Sequence, residues 1–235
     1  MNKKTFGYII LLGSAWGLAE CGLGAGLKAC ASSISGSVMM AAALFFIAAA
    51  WVLDRKAANV VLLVGVAIVF KMFDAFLLGL PLRSGTIVHP VFAFVLEGAG
   101  FLAVGILLLN RLKPSLKPEI AGTLRLRLMT SCERRGILCG GISALIAAAA
   151  FPLVKFASGI PACLVPGSTI PTVWAYAPLA VGLSMLTVPL GFKTAEKARG
   201  FAARPSWRIP AAVILSLALM TVVRGFISRG AGLGS

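Results

Sequence analysis

The sequence predicts an all-α fold, a polytopic membrane helical bundle of about seven transmembrane helices with its N-terminus inside and its C-terminus outside. Three observations carry this. The 235 residues are 59% hydrophobic and only 12% charged, with a mean hydropathy of +0.98, far from the balance of a soluble domain. The apolar residues gather into seven continuous runs, each near the ~20 residues that a helix needs to cross a bilayer. None shows the two-residue alternation of a membrane barrel strand, so helices must satisfy the backbone.

The charge distribution is the third observation. With the N-terminus inside, the cytoplasmic segments hold Lys3, Lys4, Arg55, Lys56, Arg111, Lys113, Lys117, Arg125, Arg127, Arg134, Arg135, Lys193, Lys197, Arg199, Arg204 and Arg208, which is sixteen of the 22 basic residues. Outer segments and helix ends hold Lys28, Arg83, Lys155, Arg224 and Arg229. This asymmetry sets orientation. The formal charge of +15 therefore points to an anionic inner leaflet as the contact, and not to nucleic acid.

The runs span residues 6–27, 36–53, 59–80, 87–109, 137–155, 172–192 and 209–228. The first follows two lysines, but the glutamate of "WGLAEC" directly before Cys21 is not the small residue a signal-cleavage site requires, so it reads as a retained span. The second and fifth are the shortest, which leaves six spans as the alternative count. Prolines end the fourth run in "NRLKPSLKPEIAG", and the basic stretch "TLRLRLMTSCERRG" that follows suits either a solvated loop or a short amphipathic helix at the inner leaflet. The outer connection carries Pro161, Pro166 and Pro171 and reads as a stiff link. Pro178 and Pro189 predict kinks in the sixth span. No linker separates a second domain, so residues 1–235 form one membrane domain.

Four ionisable residues fall inside spans: Glu20, Lys71, Asp74 and Glu97. A charge near the bilayer centre costs roughly 2.5–3.5 kcal/mol on insertion scales, so each needs a partner, water or a proton. Helix rise places Glu20 and Asp74 about 21–22 Å from the inner boundary, and Lys71 and Glu97 about 15–18 Å. These depths predict one polar pocket opening outward. On a helical wheel Gly13, Gly17, Glu20 and Gly24 occupy one arc of roughly 60°, a small-residue stripe on which another helix can pack closely. Around Glu97 the same construction places Pro90, Ala93 and Gly100, so the fourth span is expected to face the first.

Alternative roles for these residues follow from the same spacing. Lys71 and Asp74 share a face and can neutralise each other, or Lys71 can offset Glu20 or Glu97 across the bundle and leave Asp74 to bind or titrate. The glutamates can be protonated carboxyls hydrogen-bonded to a neighbouring helix, or ligands. His89, the single histidine, precedes Pro90 at the outer rim. It lies about 12 Å along the axis and roughly 80° around it from Glu97 on a regular helix, so one metal ion cannot bind both.

Several chemistries are excluded. One histidine cannot supply two axial haem ligands. The seventh run has no lysine for a retinal Schiff base, and no H-E-x-x-H occurs. No G-x-x-x-x-G-K-[ST] occurs, so any ATP hydrolysis belongs to a separate ATPase subunit. The five cysteines form no C-x-x-C pair. Cys30 and Cys163 both fall on the outer side, where an oxidising compartment would permit a disulfide, although separate thiols are the simpler reading. No cofactor or metal is specified. The segments "GSAWGLAE" and "HPVFAFVLEG" are similar to stretches of bacterial membrane proteins and imply no activity.

The expectation is an integral protein of the inner (plasma) membrane that transports or binds a solute. Glu20, Asp74 and Glu97 would form the site for a cation, proton or small amine-bearing solute, and Lys71 would adjust its charge. The alternative is a non-catalytic subunit of a larger complex, docking on partner membrane subunits. An intramembrane enzyme using His89 with an acid is a third class.

Overall fold

The structure is a computed structural model that describes residues 3–30, 32–77, 81, 85–109, 135–150, 170–201, 213–219 and 221–222. Every secondary-structure element among them is helical. The helices are α1 (Lys3–Cys30), α2 (Ser32–Asp54), α3 (Ala57–Leu77), α4 (Gly85–Leu109), α5 (Arg135–Ala150), α6 (Ile170–Phe201) and a shorter α7 (residues 213–219). Each coincides with one of the seven apolar runs. Among the described residues, four stretches are long and apolar enough to cross a membrane: Thr5–Leu23, Ile34–Asp54, Ile87–Leu107 and Ala177–Lys197. The helix α6 itself runs from Ile170 through Pro178 and Pro189 to Phe201 and carries Lys193 and Lys197 in its C-terminal turns. The basic connection after Leu109, the proline-containing link before α6 and Cys163 lie outside the described residues, as do the side chains of Cys30 and Asp74.

Helix directions follow from side-chain contacts. Gly13 faces Val66 and Gly17 faces Phe70, so contacts advance together along α1 and α3 and the two run in the same sense. Between them in sequence, α2 returns through a two-residue link in which Arg55 adopts φ 53° and its N–H donates to the Trp51 carbonyl at 2.8 Å. A left-handed residue closes the helix end in this way. Arginine accepts the conformation at a cost of about 1–2 kcal/mol relative to glycine. Trp16 meets both Phe46 of α2 and Phe94 of α4, while Trp51 meets Phe101. Residues 46 and 94 thus share one level and residues 51 and 101 another, which makes α4 parallel to α2.

The α5 and α6 pair completes the pattern. Gly136 lies against Pro189 and Phe192, and Gly140 against Ser184 and Val188, so these helices are antiparallel. Thr187 Oγ1 donates to the Ala41 carbonyl at 2.8 Å, and Gly191 sits on Phe45 and Ala48, so α6 runs with α2. Successive helices from α1 to α6 therefore alternate in direction. Arg55 and Lys56, the start of α5 at Arg135, and Lys193 and Lys197 near the end of α6 consequently lie at one end of the bundle.

The core lies around α2, which touches α1, α3, α4 and α6. Its alanines let that happen: Ala41, Ala43, Ala48, Ala49 and Ala50 are all buried, and small side chains are what bring helix backbones close where the surroundings are as apolar as the side chains themselves. Outward-facing Val61, Val69, Phe76, Leu107, Leu186 and Leu215 are exposed by 60–80%. A girdle of large apolar groups on the outside is unfavourable in water and natural in lipid.

The α2–α6 contact gives a direct test. A Cβ at position 191 would meet the Phe45 carbonyl oxygen at 2.5 Å, whereas one at position 182 meets nothing within 4 Å. Gly191→Ala is expected to destabilise the purified protein by about 1–3 kcal/mol through overpacking. Gly182→Ala should leave it unchanged or raise it by up to about 1 kcal/mol through helix propensity. Thermal melts of the two variants in the same detergent compare them.

Candidate functional site

The site begins with two glycines. Gly13 and Gly17 bring α1 so near α3 that a Cβ at position 13 would lie 2.5 Å from Val66 Cγ1, and one at position 17 would run into the Phe70 ring. Glu20 is on the same face, one turn further along, and the approach delivers it to α3. There Lys71 Nζ lies 3.8 Å from Glu20 Oε1, with side-chain exposures of 9% and 11%. Lys71 is on the stripe of α3 that faces α4: Val60, Val64 and Lys71 fall within roughly 40° on a wheel, and both valines contact Gly98. Lys71 thus crosses the helix interface to an acid on another helix, one of the two roles its spacing allowed.

The seam beside this ion pair is closed by apolar contacts. Cys21 and Phe70, the neighbours of Glu20 and Lys71, are buried, and the partly buried Leu18 and Val66, with Val213 and Leu217 of α7, pack against them. Low dielectric strengthens the pair's attraction, but the pair has also lost its hydration. Taking either partner away leaves the other as a buried charge.

Glu97 occupies a different level. It is 4% exposed, and its Oε2 has no hydrogen-bond partner. Trp16 packs on Phe94 with ring centroids 4.8 Å apart and lies parallel to Phe46 at 6.4 Å. On α1, Trp16 precedes Glu20 by four residues, and on the oppositely directed α4, Phe94 precedes Glu97 by three. Glu20 therefore lies about 6 Å to one side of the aromatic contact and Glu97 about 4.5 Å to the other.

Along the helix axes, then, Glu20 and Glu97 stand on opposite sides of the Trp16–Phe94 contact. Asp74 is one turn beyond Lys71 on α3. The expected contact between α1 and α4 is made by aromatic side chains, and the small residues around Glu97 serve elsewhere. Gly98 receives Val64 of α3, and Gly100 receives Ser143 and Ile146 of α5. Gly24 continues α1 past Glu20. His89 is half-buried near the start of α4, eight residues from Glu97, so the two stay separate.

Two residues escaped the sequence reading. Trp16 is fully buried, yet its indole N–H has no acceptor. Asn59 is fully buried and neither amide atom is partnered. By contrast, the buried Ser14 hydroxyl reaches the Ile10 and Leu11 carbonyls, each at 3.0 Å. An unmet buried polar atom costs about 1–3 kcal/mol, more for a charged group. The four atoms Trp16 Nε1, Asn59 Oδ1, Asn59 Nδ2 and Glu97 Oε2 would together cost roughly 4–12 kcal/mol, as much as the net stability of many proteins. A cost that large implies a non-protein partner such as water, a proton or a ligand. The signal in the sequence was weak, since a tryptophan and an asparagine in apolar runs are ordinary.

No protein-family model, curated protein or solved structure matches the chain.

The ion pair makes a thermodynamic prediction. Glu20→Leu and Lys71→Met, made singly, are each expected to lower stability by about 3–5 kcal/mol, because each strands a buried charge. The double variant should recover most of that loss. A double-mutant cycle from detergent melts measures the coupling, and additive losses would show that the contact is not felt.

Proposed function

We propose that this chain is a multi-pass protein of an inner (plasma) membrane that transports or binds a small solute. Its site is the acidic centre made by Glu20, Glu97 and Lys71, with Asp74 adjoining, and its cargo is a cation, a proton or a small amine-bearing solute. One observation carries the reading: two glutamates and one lysine are buried at the meeting of α1, α3 and α4, and one carboxylate oxygen has no protein partner. With all three ionised the centre holds one uncompensated negative charge. Buried ionisable groups in membrane segments are costly and occur mainly where substrates, ions or protons pass.

The proposed topology has seven spans, with the N-terminus inside and the C-terminus outside. Arg55, Lys56, Arg135, Lys193 and Lys197, which share one end of the bundle, meet the anionic inner leaflet. On this topology the Glu20–Lys71 pair lies toward the outer side, where a solute would arrive.

Stripped of its solute role, the same bundle would be a subunit whose buried acids only join helices. Uptake and binding distinguish the two. In proteoliposomes or whole cells, Glu20→Gln and Glu97→Gln, shown to be inserted and folded, are expected to reduce accumulation or binding of a cationic solute at least about tenfold, the effect of losing ~1.4 kcal/mol of interaction. Full activity in both variants rejects the solute site and leaves the subunit role.

A further inference from the structure

The Glu20–Lys71 pair occupies one side of the seam between α1 and α3. Round the helices, Glu20 stands roughly 100° from Cys21 and Lys71 roughly 100° from Phe70, and Cys21 and Phe70 are the residues against which Val213 and Leu217 of α7 pack. The stripe of α3 that carries Lys71 meets Gly98 of α4 through Val60 and Val64. The pair therefore looks toward α4 and away from α7. Glu20 follows Trp16 by four residues on α1, and Pro90 precedes Phe94 by four on the antiparallel α4, so both lie about 6 Å beyond the Trp16–Phe94 contact. Pro90 and the buried Ile87 fall within roughly 40° of Phe94 on the wheel. At the level of the pair, α4 thus presents an apolar wall.

We infer that Glu20 seats a primary ammonium group of the solute, and that Lys71 is a tethered stand-in for it. The solute's ammonium takes the place of Lys71 at the carboxylate and lays its alkyl stem along the apolar wall of α4. This rests on the proposed solute site and names its substrate class. Lys71 itself shows what the position accepts: an ammonium on a four-carbon stem, with a side chain 9% exposed, 3.8 Å from a carboxylate oxygen. At that distance the lysine attracts Oε1 from beyond the ~2.7–2.9 Å of a charge-assisted hydrogen bond. An ammonium that is not tethered to α3 can close the gap. The exchange forms and breaks no covalent bond and keeps Glu20 ionised.

Charge and ligand number favour an organic ammonium over a metal ion. Glu20, Glu97 and Lys71 together carry one negative charge when ionised, and a singly charged amine brings that sum to zero. Calcium or a similar hard cation takes six to eight oxygen ligands, and among the described residues no three His, Cys, Asp or Glu side chains converge to hold a metal. An ammonium needs one carboxylate and an apolar surface for its stem, which Glu20 and the Ile87–Pro90 face of α4 supply.

Calorimetric titration of the full-length protein in detergent with n-butylammonium and methylammonium tests this. The wild type is expected to bind n-butylammonium, and the charge-neutral double variant Glu20→Gln/Lys71→Met to have lost that binding. Lys71→Met removes the competing ammonium and should bind methylammonium about tenfold or more tighter than the wild type, because Glu20 is then a buried charge without a counter-ion. Lys71→Ala also vacates the space of the stem, so n-butylammonium should gain over methylammonium there and not in Lys71→Met. Where a single variant fails to fold alone, its recovery during purification with n-butylammonium reads the same contact, and the wild type against the double variant still decides. No binding by the wild type, equal binding by the double variant, unchanged affinity in a folded Lys71→Met, or displacement of n-butylammonium by equimolar sodium or potassium overturns the inference. Uptake by the glutamine variants is read separately. Loss of cationic-solute uptake in Glu20→Gln without ammonium binding by the wild type rejects the ammonium and leaves the solute site. Ammonium binding beside full uptake in both Glu20→Gln and Glu97→Gln rejects the solute site, and the inference with it.

Discussion

How near α1 can come to α3 governs the rest of the molecule. In lipid, helices gain little from burying apolar surface against one another, and their association relies on close packing and on polar contacts across the interface. Gly13 and Gly17 remove the side chains that would hold α1 away, and Val66 and Phe70 fill the space. That separation is what allows Lys71 to reach Glu20 at 3.8 Å. A bulkier residue at either glycine would push the ammonium and carboxylate apart in a medium unable to solvate them. The ion pair and the helix packing are therefore one interaction seen at two scales.

The same logic is repeated through the bundle. Gly98 admits Val64, Gly100 admits α5, Gly140 lies on the Ser184 backbone and Gly191 on that of Phe45. With α2 at the centre and small residues at each crossing, the helices are dense enough to bury Trp16, Phe101 and Asn59 completely. Density is also what makes the unpartnered atoms consequential. In a looser bundle Glu97 and Asn59 would meet solvent directly, whereas here they can be satisfied only by what the interior admits.

The offset between the two glutamates along the bundle changes their chemistry. Two carboxylates at one level would compete for one ammonium and for one cation. Here Glu20 lies 3.8 Å from Lys71, whereas Glu97 Oε2 has no hydrogen-bond partner. The proposed function uses that difference, with one acid held in a neutral pair and the other left uncompensated.

Much of the architecture was legible in the sequence because hydropathy and length are local properties. Seven apolar runs correspond to seven helices among the described residues, and on α1 Gly13 and Gly17 lie against Val66 and Phe70 of α3. Pairing was not legible. The wheel around Glu97 suggested that Gly100 would face α1, but it faces α5, because the bulky Phe94 meets Trp16 and rotates the small residues toward other neighbours. That Lys71 reaches Glu20 across the bundle was not legible for the same reason, as the relative offset and rotation of helices depend on the shapes of side chains brought together from distant parts of the chain. The sequence by itself determined an all-helical chain with helices long and apolar enough to cross a membrane and with ionisable residues inside them. Only the tertiary structure decided that Lys71 meets Glu20 and that Glu97 is buried with an oxygen lacking a hydrogen-bond partner, because those outcomes depend on how distant helices are offset and rotated against one another.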